Sequence, residues 1–165
     1  MDALTGGDGT TTLCGVTQPL LEDTDRRIVE HLAADGRMSF TDLGKATGLS
    51  TSAVHQRVKR LEQRGLITGY AAALDHTALG LPLTAFISIT PIDPAADDDY
   101  PERVRHIEEI ESCWSVAGEE SYILKVRVGT PADLEELLAR IRAAAGVSTR
   151  TTVVLSTPFE NRSVL

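Results

Sequence analysis

Between Ser50 and Arg64 the chain places Ser52, His55, Gln56, Lys59 and Gln63 at intervals that fall on one side of a helix, while Val54, Val58 and Leu61 fall on the other. Hydroxyl, imidazole and carboxamide groups both donate and accept hydrogen bonds, which is the capacity needed to read base edges. Arg57 and Arg60 flank this face and, with Lys59, supply cations for backbone phosphates. Ser50 or Thr51 caps the helix start, where unpaired N–H groups attract a phosphate. Taken singly, each of these residues also suits a solvated helix surface. Clustered on one short helix they predict a nucleic-acid reader.

Chemistry of other kinds finds little support in the residue pattern. No G-x-S-x-G elbow, P-loop, H-E-x-x-H or G-x-G-x-x-G motif occurs. The carboxylate pairs Glu108–Glu109 and Glu119–Glu120 are adjacent in sequence and diverge, whereas a general acid and base must converge across a pocket. No His, Cys or carboxylate is spaced around His55 as a metal set, and Cys14 and Cys113 form neither a metal-ligand spacing nor a disulfide framework. No catalytic activity, metal or cofactor is expected. Cys113 reads as a small packed hydrophobe in a reduced, cytoplasmic protein. A membrane partner is not expected, because no run of about 18 apolar residues occurs. Nor does the opening MDALTGGDGTTTLCGVTQP have the basic start and apolar run of a secretion signal.

Charge separates the halves. The chain has a formal net charge of −8; residues 1–70 hold eight Lys or Arg against nine Asp or Glu, and residues 71–165 hold eight against 15. A polyanion is repelled by the second half, so DNA contact is expected in the first alone.

The elements that must position the reading face follow from periodicity. A helix near 23–34 carries Ile28, Val29 and Leu32 on one stripe behind an acidic first turn. A second begins at Ser39, with Asp42 completing a capping box, buries Leu43 and Ala46, and stops at Gly48. The reading helix starts one turn later. Two short helices joined by a turn containing Gly48 and Leu49 describe a helix-turn-helix, although a generic helical hairpin has the same period. Ile67, Tyr70 and Ala72, with bends at Gly65 and Gly69, are expected to form a small ribbon, making the unit a winged helix-turn-helix.

The second half has a different rhythm. LTAFISIT at 83–90 reads as a strand. The Asp97–Asp99 run reads as solvated acid before a helix that starts near Pro101 and carries Val104, Ile107 and Ile110. Strands follow at 112–118 and 122–128, joined through GEES as a hairpin. Thr130 and Asp133 box a helix bearing Leu134, Leu137, Leu138 and Ile141 that ends at Gly146, and RTTVVLST at 150–157 is the last strand. The expected class is α+β: a winged helix-turn-helix followed by a ferredoxin-like βαββαβ domain. The divisions are an arm at 1–19, the DNA-binding domain at 20–70, a linker at 71–82, the ferredoxin-like domain at 83–157 and a tail at 158–165. Two helices cover one face of a four-stranded sheet. The other face, with Phe86, Trp114, Ile123 and Val154, is expected to pair two chains into a homodimer.

These residues resemble the Lrp/AsnC family, the leucine-responsive or feast/famine regulators of bacteria and archaea. The matching stretches are LEDTDRRIVEHLAADGRMSFTDLGKATGLSTSAVHQRVKRLEQRGLITGY, LG at 79–80, AFISI at 85–89, VAGEESYILKVRV at 116–128 and GVSTRTTVVLS at 146–156. The resemblance implies a transcriptional regulator that reads double-stranded DNA. It also implies a second domain that senses a small effector, usually an amino acid, and assembles dimers into octamers or related rings. By the same resemblance Gly118, Glu119, Glu120 and Ser121 line or border the effector site, with Thr149, Arg150, Thr151 and Thr152 nearby. Family members often carry G-D-x-D at the hairpin. Here G-E-E-S-Y keeps one charge on a longer stem and loses the second carboxylate, which leaves the effector's identity open. An architectural protein that organises DNA without an effector is the alternative.

Overall fold

Ser39 and Ser50 each stop the chain in an extended conformation and turn a side-chain oxygen back onto the helix that follows. The computed structural model describes residues 21–93 and 99–162. The expected arm at 1–19, residues 97 and 98 of the acidic run and the last three residues of the expected tail lie outside the described residues. The chain divides into two compact units between Ala71 and Ala72.

The first unit holds α1 (Asp23–Ala34), α2 (Phe40–Thr47) and α3 (Thr51–Gln63). Ile28, Leu32, Leu43, Val54, Val58 and Leu61 form its core, each helix contributing one apolar stripe. Gly48 takes the left-handed conformation that ends α2, with φ of 75°. Gly44 sets the closeness of the two helices: a Cβ there would lie 2.7 Å from the Leu49 carbonyl oxygen, and the Leu49 N–H donates to the Gly44 carbonyl at 2.9 Å. Gly44 and Thr47 are buried alongside Leu43, while Ala46 is only half-buried.

The expected ribbon does not form. No strand follows α3 among the described residues of this unit. The N–H groups of Leu66 and Ile67 instead donate back to the Leu61 carbonyl, at 3.0 and 3.2 Å, folding the chain under the helix end. A ribbon also needs a partner to complete its ladder, and an isolated pair of strands has little stability. Tyr70 is held by its hydroxyl, which donates to Glu62 Oε1 at 3.0 Å.

The second unit is the ferredoxin-like one: β1 (Leu83–Pro91), α4 (Tyr100–Val104), β2 (Ile110–Ser115), β3 (Tyr122–Val128), α5 (Pro131–Ala145) and β4 (Val147–Val153). The antiparallel sheet has the order β2-β3-β1-β4. Ala85, Ile87, Ile89, Leu124, Val126, Leu137 and Ile141 fill the layer between sheet and helices. The Thr130–Asp133 capping box starts α5, and Gly146, left-handed at φ of 64°, ends it.

Three boundaries differ from the sequence expectation. Helix α4 stops after one turn, because the chain passes through single-turn bonds from Ile107 N–H to Val104 O and from Ile110 N–H to Ile107 O. Ile110 therefore opens β2, opposite Val126, and β2 spans 110–115 rather than 112–118. Strand β4 begins at Val147, directly after the helix, and ends before Val154.

The uncovered sheet face is also not the apolar patch expected of it. The register sets Trp114 opposite Ile123, Phe86 opposite Lys125 and Thr152, and Ser88 opposite Arg150, so apolar and charged residues alternate there. Period-2 alternation in YILKVRV assigns Lys125 and Arg127 to the same face as Ile123. A bulge at β2 adds Glu111, whose carboxylate accepts from Lys125 Nζ at 3.0 Å and Arg127 Nε at 2.7 Å. Glu160 closes the cluster, pairing with Lys125 and Arg127. Val154 follows β4 and is half-buried, its N–H donating to the Thr84 carbonyl at 2.9 Å.

Candidate nucleic-acid interface and effector site

The Ser50 Oγ accepts from the Ala53 N–H at 3.2 Å and lies 3.1 Å from the Ser52 Oγ, so Ser50 rather than Thr51 caps α3. Val54, Val58 and Leu61 are buried, and this turns Thr51, Ser52, His55, Gln56, Lys59 and Arg60 outward together. The structure thus brings seven of the eight expected DNA-facing residues to one open surface at the start and outer side of α3.

Arg57 is the exception. Its Nη1 donates to Asp25 Oδ1 at 2.7 Å and to Glu22 Oε2 at 2.9 Å, and the side chain is 23% exposed. Its bonds to the Glu22 and Asp25 carboxylates hold the guanidinium pKa above its ordinary value. Its charge is matched inside the unit, so Arg57 fastens α3 to α1 instead of standing on the open face. Sequence spacing gave no signal of this, because the partners lie 32 and 35 positions away.

The other end of α2 is tied as well. Arg27 Nη2 donates to the Ala46 carbonyl at 2.7 Å, satisfying a helix-end acceptor. At its start, Ser39 Oγ accepts from the Asp42 N–H at 3.1 Å and donates to Asp42 Oδ2 at 2.7 Å, and Lys45 Nζ lies 3.0 Å from Asp42 Oδ1. These bonds hold the Asp42 carboxyl below its usual pKa, the Ser39 bond most of all. Phe40, the first residue of α2, presents its ring to His55. Phe40, Gly44 and Asp25 make contacts with or around α3 that periodicity did not single out.

In the second unit, the 116–121 turn folds over the end of β1. The Val116 N–H donates to the Ser121 carbonyl at 3.1 Å, and the Ser121 N–H donates to the Ile89 carbonyl at 3.0 Å. This brings Glu120 to Arg150 on β4, and the two form an ion pair. Glu119 is exposed beside it, and a Cβ placed on the exposed Gly118 would lie 3.9 Å from the Glu120 carboxylate. The four β4 residues expected nearby do not share a surface. Arg150 and Thr152 lie opposite Ser88 and Phe86 on the uncovered face, whereas Thr149 and Thr151 lie opposite Ile89 and Ile87 on the helix side. Alternation along a strand forbids all four from lining one site. A cleft of about 660 Å³ opens elsewhere, near His76 and His106; its Glu109–Arg140 and Glu111–Arg127 pairs satisfy each other, and it contains none of the hairpin residues.

The model of the AsnC-type helix-turn-helix domain matches residues 21–62, and that of the Lrp/AsnC ligand binding domain matches residues 84–164. The HTH-type transcriptional regulator LrpA of Mycobacterium tuberculosis is 54% identical over 142 residues, covering 86% of this chain and 95% of its own. The chain belongs to the Lrp/AsnC family of transcriptional regulators. Among other Lrp/AsnC members, the Escherichia coli leucine-responsive regulatory protein is 37% identical over 139 residues, covering 82% of this chain and 85% of its own. A solved feast or famine regulatory protein from M. tuberculosis, complexed with L-methionine, is 53% identical with a TM-score of 0.84, over 87% of this chain and 97% of that one. A Neisseria meningitidis regulator in complex with L-methionine is 28% identical with a TM-score of 0.79, over 85% and 93%.

Membership makes the chain a DNA-binding regulator rather than an enzyme, with α2 and α3 as the helix-turn-helix. No group of His, Cys, Asp and Glu able to hold a metal ion occurs among the described residues. Nor is any helix among them long and apolar enough to cross a membrane.

Proposed function

We propose that this Lrp/AsnC regulator reads specific double-stranded DNA through α3 and that a free amino acid, taken between Glu120 and Arg150, changes its DNA affinity or its assembly state. The Glu120–Arg150 ion pair carries this reading. Arg150 is 70% exposed and Glu120 18%, so the pair is worth little by itself and opens at small cost. A zwitterion complements both halves: its ammonium meets the Glu120 carboxylate and its carboxylate meets the Arg150 guanidinium. Two Lrp/AsnC relatives have been solved with L-methionine, which supports an amino acid as the ligand class.

On the DNA side, Ser52, His55 and Gln56 meet base edges, Lys59 and Arg60 meet phosphates, and the capped start of α3 at Ser50 and Thr51 receives one phosphate more. One such helix reads few base pairs. A homodimer, paired through the uncovered sheet face where Phe86, Trp114, Ile123 and Val154 stand among the charged Lys125, Arg127 and Glu111, presents two helices to a palindromic site, and dimers assemble further toward an octamer. An effector acts by binding two assembly states unequally.

The test is fluorescence anisotropy of the full chain against a duplex from its own promoter and an unrelated duplex, at fixed salt, across a panel of amino acids. Preference for the promoter altered by one amino acid supports the proposal and names the effector. Binding that ignores both DNA sequence and amino acid points instead to an architectural role.

A further inference from the structure

Phe40 lies at the surface of its own unit. The residue is 37% exposed, so it is not one of the buried residues, Ile28, Leu43, Val54 and their neighbours, that form the core of that unit. What it touches is His55: the ring centroids are 5.3 Å apart and the planes are inclined at 57°, within the tilted geometry that aromatic pairs favour. His55 lies one turn into α3, between Ser52 and Gln56 on the open face.

The backbone under Phe40 is held on both sides. The Ser39–Asp42–Lys45 network locks the first turn of α2, and the Leu43 N–H donates to the Ser39 carbonyl at 2.8 Å. The close approach at Gly44 then sets α2 against α3, so the phenyl ring arrives at the imidazole in a determined place. An imidazole on an exposed helix face otherwise turns freely about two bonds. A reader of base edges must aim one ring nitrogen along one direction, and orientation established before binding removes an ordering cost from the complex.

We propose that Phe40 is a positioning residue for base readout: packed from α2 against the His55 ring, it aims the imidazole into the groove without itself contacting DNA. This rests on the reading that the outer face of α3 meets base edges. The contact converts an exposed aromatic residue of the supporting helix into part of the specificity of the recognition helix.

The experiment uses the full chain and four variants, Phe40→Leu, Phe40→Tyr, His55→Ala and Phe40→Leu with His55→Ala. Affinity is measured for the preferred duplex and for its single-base variants, together with the salt dependence. His55→Ala is expected to flatten the preference at one or two base positions. Phe40→Leu should flatten the same positions by a few-fold to about tenfold, leave the salt slope unchanged, and add nothing in the double variant. Phe40→Tyr, which keeps the ring, should restore the preference. In the free protein, the ring-proton resonances of His55 should move in Phe40→Leu and stay near their place in Phe40→Tyr, a change that loss of fold stability alone does not produce.

If His55→Ala flattens the preference and Phe40→Leu does not, or if the two effects add, the positioning role is wrong while the reading face stands. If His55→Ala itself changes no base preference, both the face and the positioning role fall.

Discussion

Arg57 Nη1 lies 2.7 Å from Asp25 Oδ1, joining the middle of the recognition helix to the first helix of the unit. Asp25 is only 7% exposed, so removing its partner leaves a largely buried carboxylate without its cation. Arg57→Ala should therefore lower the stability of the helical unit by about 2 kcal/mol, while Asp25→Asn with Arg57→Ala costs less than the sum of the single changes. Urea denaturation followed by far-ultraviolet circular dichroism measures both. Additive losses would mean that the pair does not act as a unit.

Lys59 and Gln56 stand outside that network and divide the work of binding. Lys59→Ala should weaken all duplexes alike and reduce the salt slope of log affinity by about one, whereas Gln56→Ala should relax discrimination at a single base position and leave the slope as it was. Arg57→Ala, its charge already matched by Glu22 and Asp25, should move the slope less than Lys59→Ala does. Titrations at four or five salt concentrations separate the three. A slope change for Arg57→Ala as large as that for Lys59→Ala sinks the assignment of Arg57 to the fold.

Glu120 and Arg150 give the effector proposal a charge test. Glu120→Gln removes the partner of the ammonium and Arg150→Ala that of the carboxylate, so each should weaken amino-acid binding by on the order of tenfold or more. Both residues belong to the second unit, so affinity for the promoter without amino acid should stay as it was. Calorimetry with the effector, beside anisotropy with DNA, reads the two quantities. Unchanged amino-acid binding in both variants overturns the site.

The cluster on the uncovered face predicts a pH dependence of known sign. Glu160 has its pKa held below the ordinary 4.5, chiefly by the bond from Lys125. Burial raises that of Glu111, yet bonds from Lys125 and Arg127 outweigh it and leave Glu111 below 4.5 as well. Carboxylates lowered in the folded state stabilise it above their ordinary value, and that stabilisation is lost as pH falls through the folded value. Lys125 has the opposite sign: burial lowers it, but Glu160 and Glu111 raise it overall above 10.5, so its contribution is lost only as alkali deprotonates the folded ammonium. Glu160→Gln should accordingly be less stable than wild type at neutral pH, with the gap closing as pH falls below the ordinary 4.5 and through the lowered folded value. The denaturation midpoint of each protein between pH 3 and 7 checks this, and a gap independent of pH contradicts it.

Helix caps, strand alternation and apolar stripes act over a few residues, so the sequence by itself determined the three helices of the first unit, the α5 capping box and the β3 pattern. It determined the outward face of α3 in the same way, since burying Val54, Val58 and Leu61 leaves Ser52, His55, Gln56 and Lys59 no other direction. The alternation of YILKVRV already placed Lys125 and Arg127 on the open face, although reading only its apolar members hid this.

What tertiary structure alone decided involves residues far apart in the chain. Arg57 chose Asp25 and Glu22 over the open face because packing of α1 against α3 brought two carboxylates to it. Ile110 joined β2, not α4, because pairing with Val126 outweighed the weak continuation of a one-turn helix. The segment after α3 formed no ribbon because its first N–H groups turned back to the Leu61 carbonyl, and no strand lies beside it among the described residues of that unit. Glu120 met Arg150, and Phe40 met His55, only once separate elements had been packed together. Spacing along a chain encodes which face a side chain takes; the partner waiting at that face is settled by the fold.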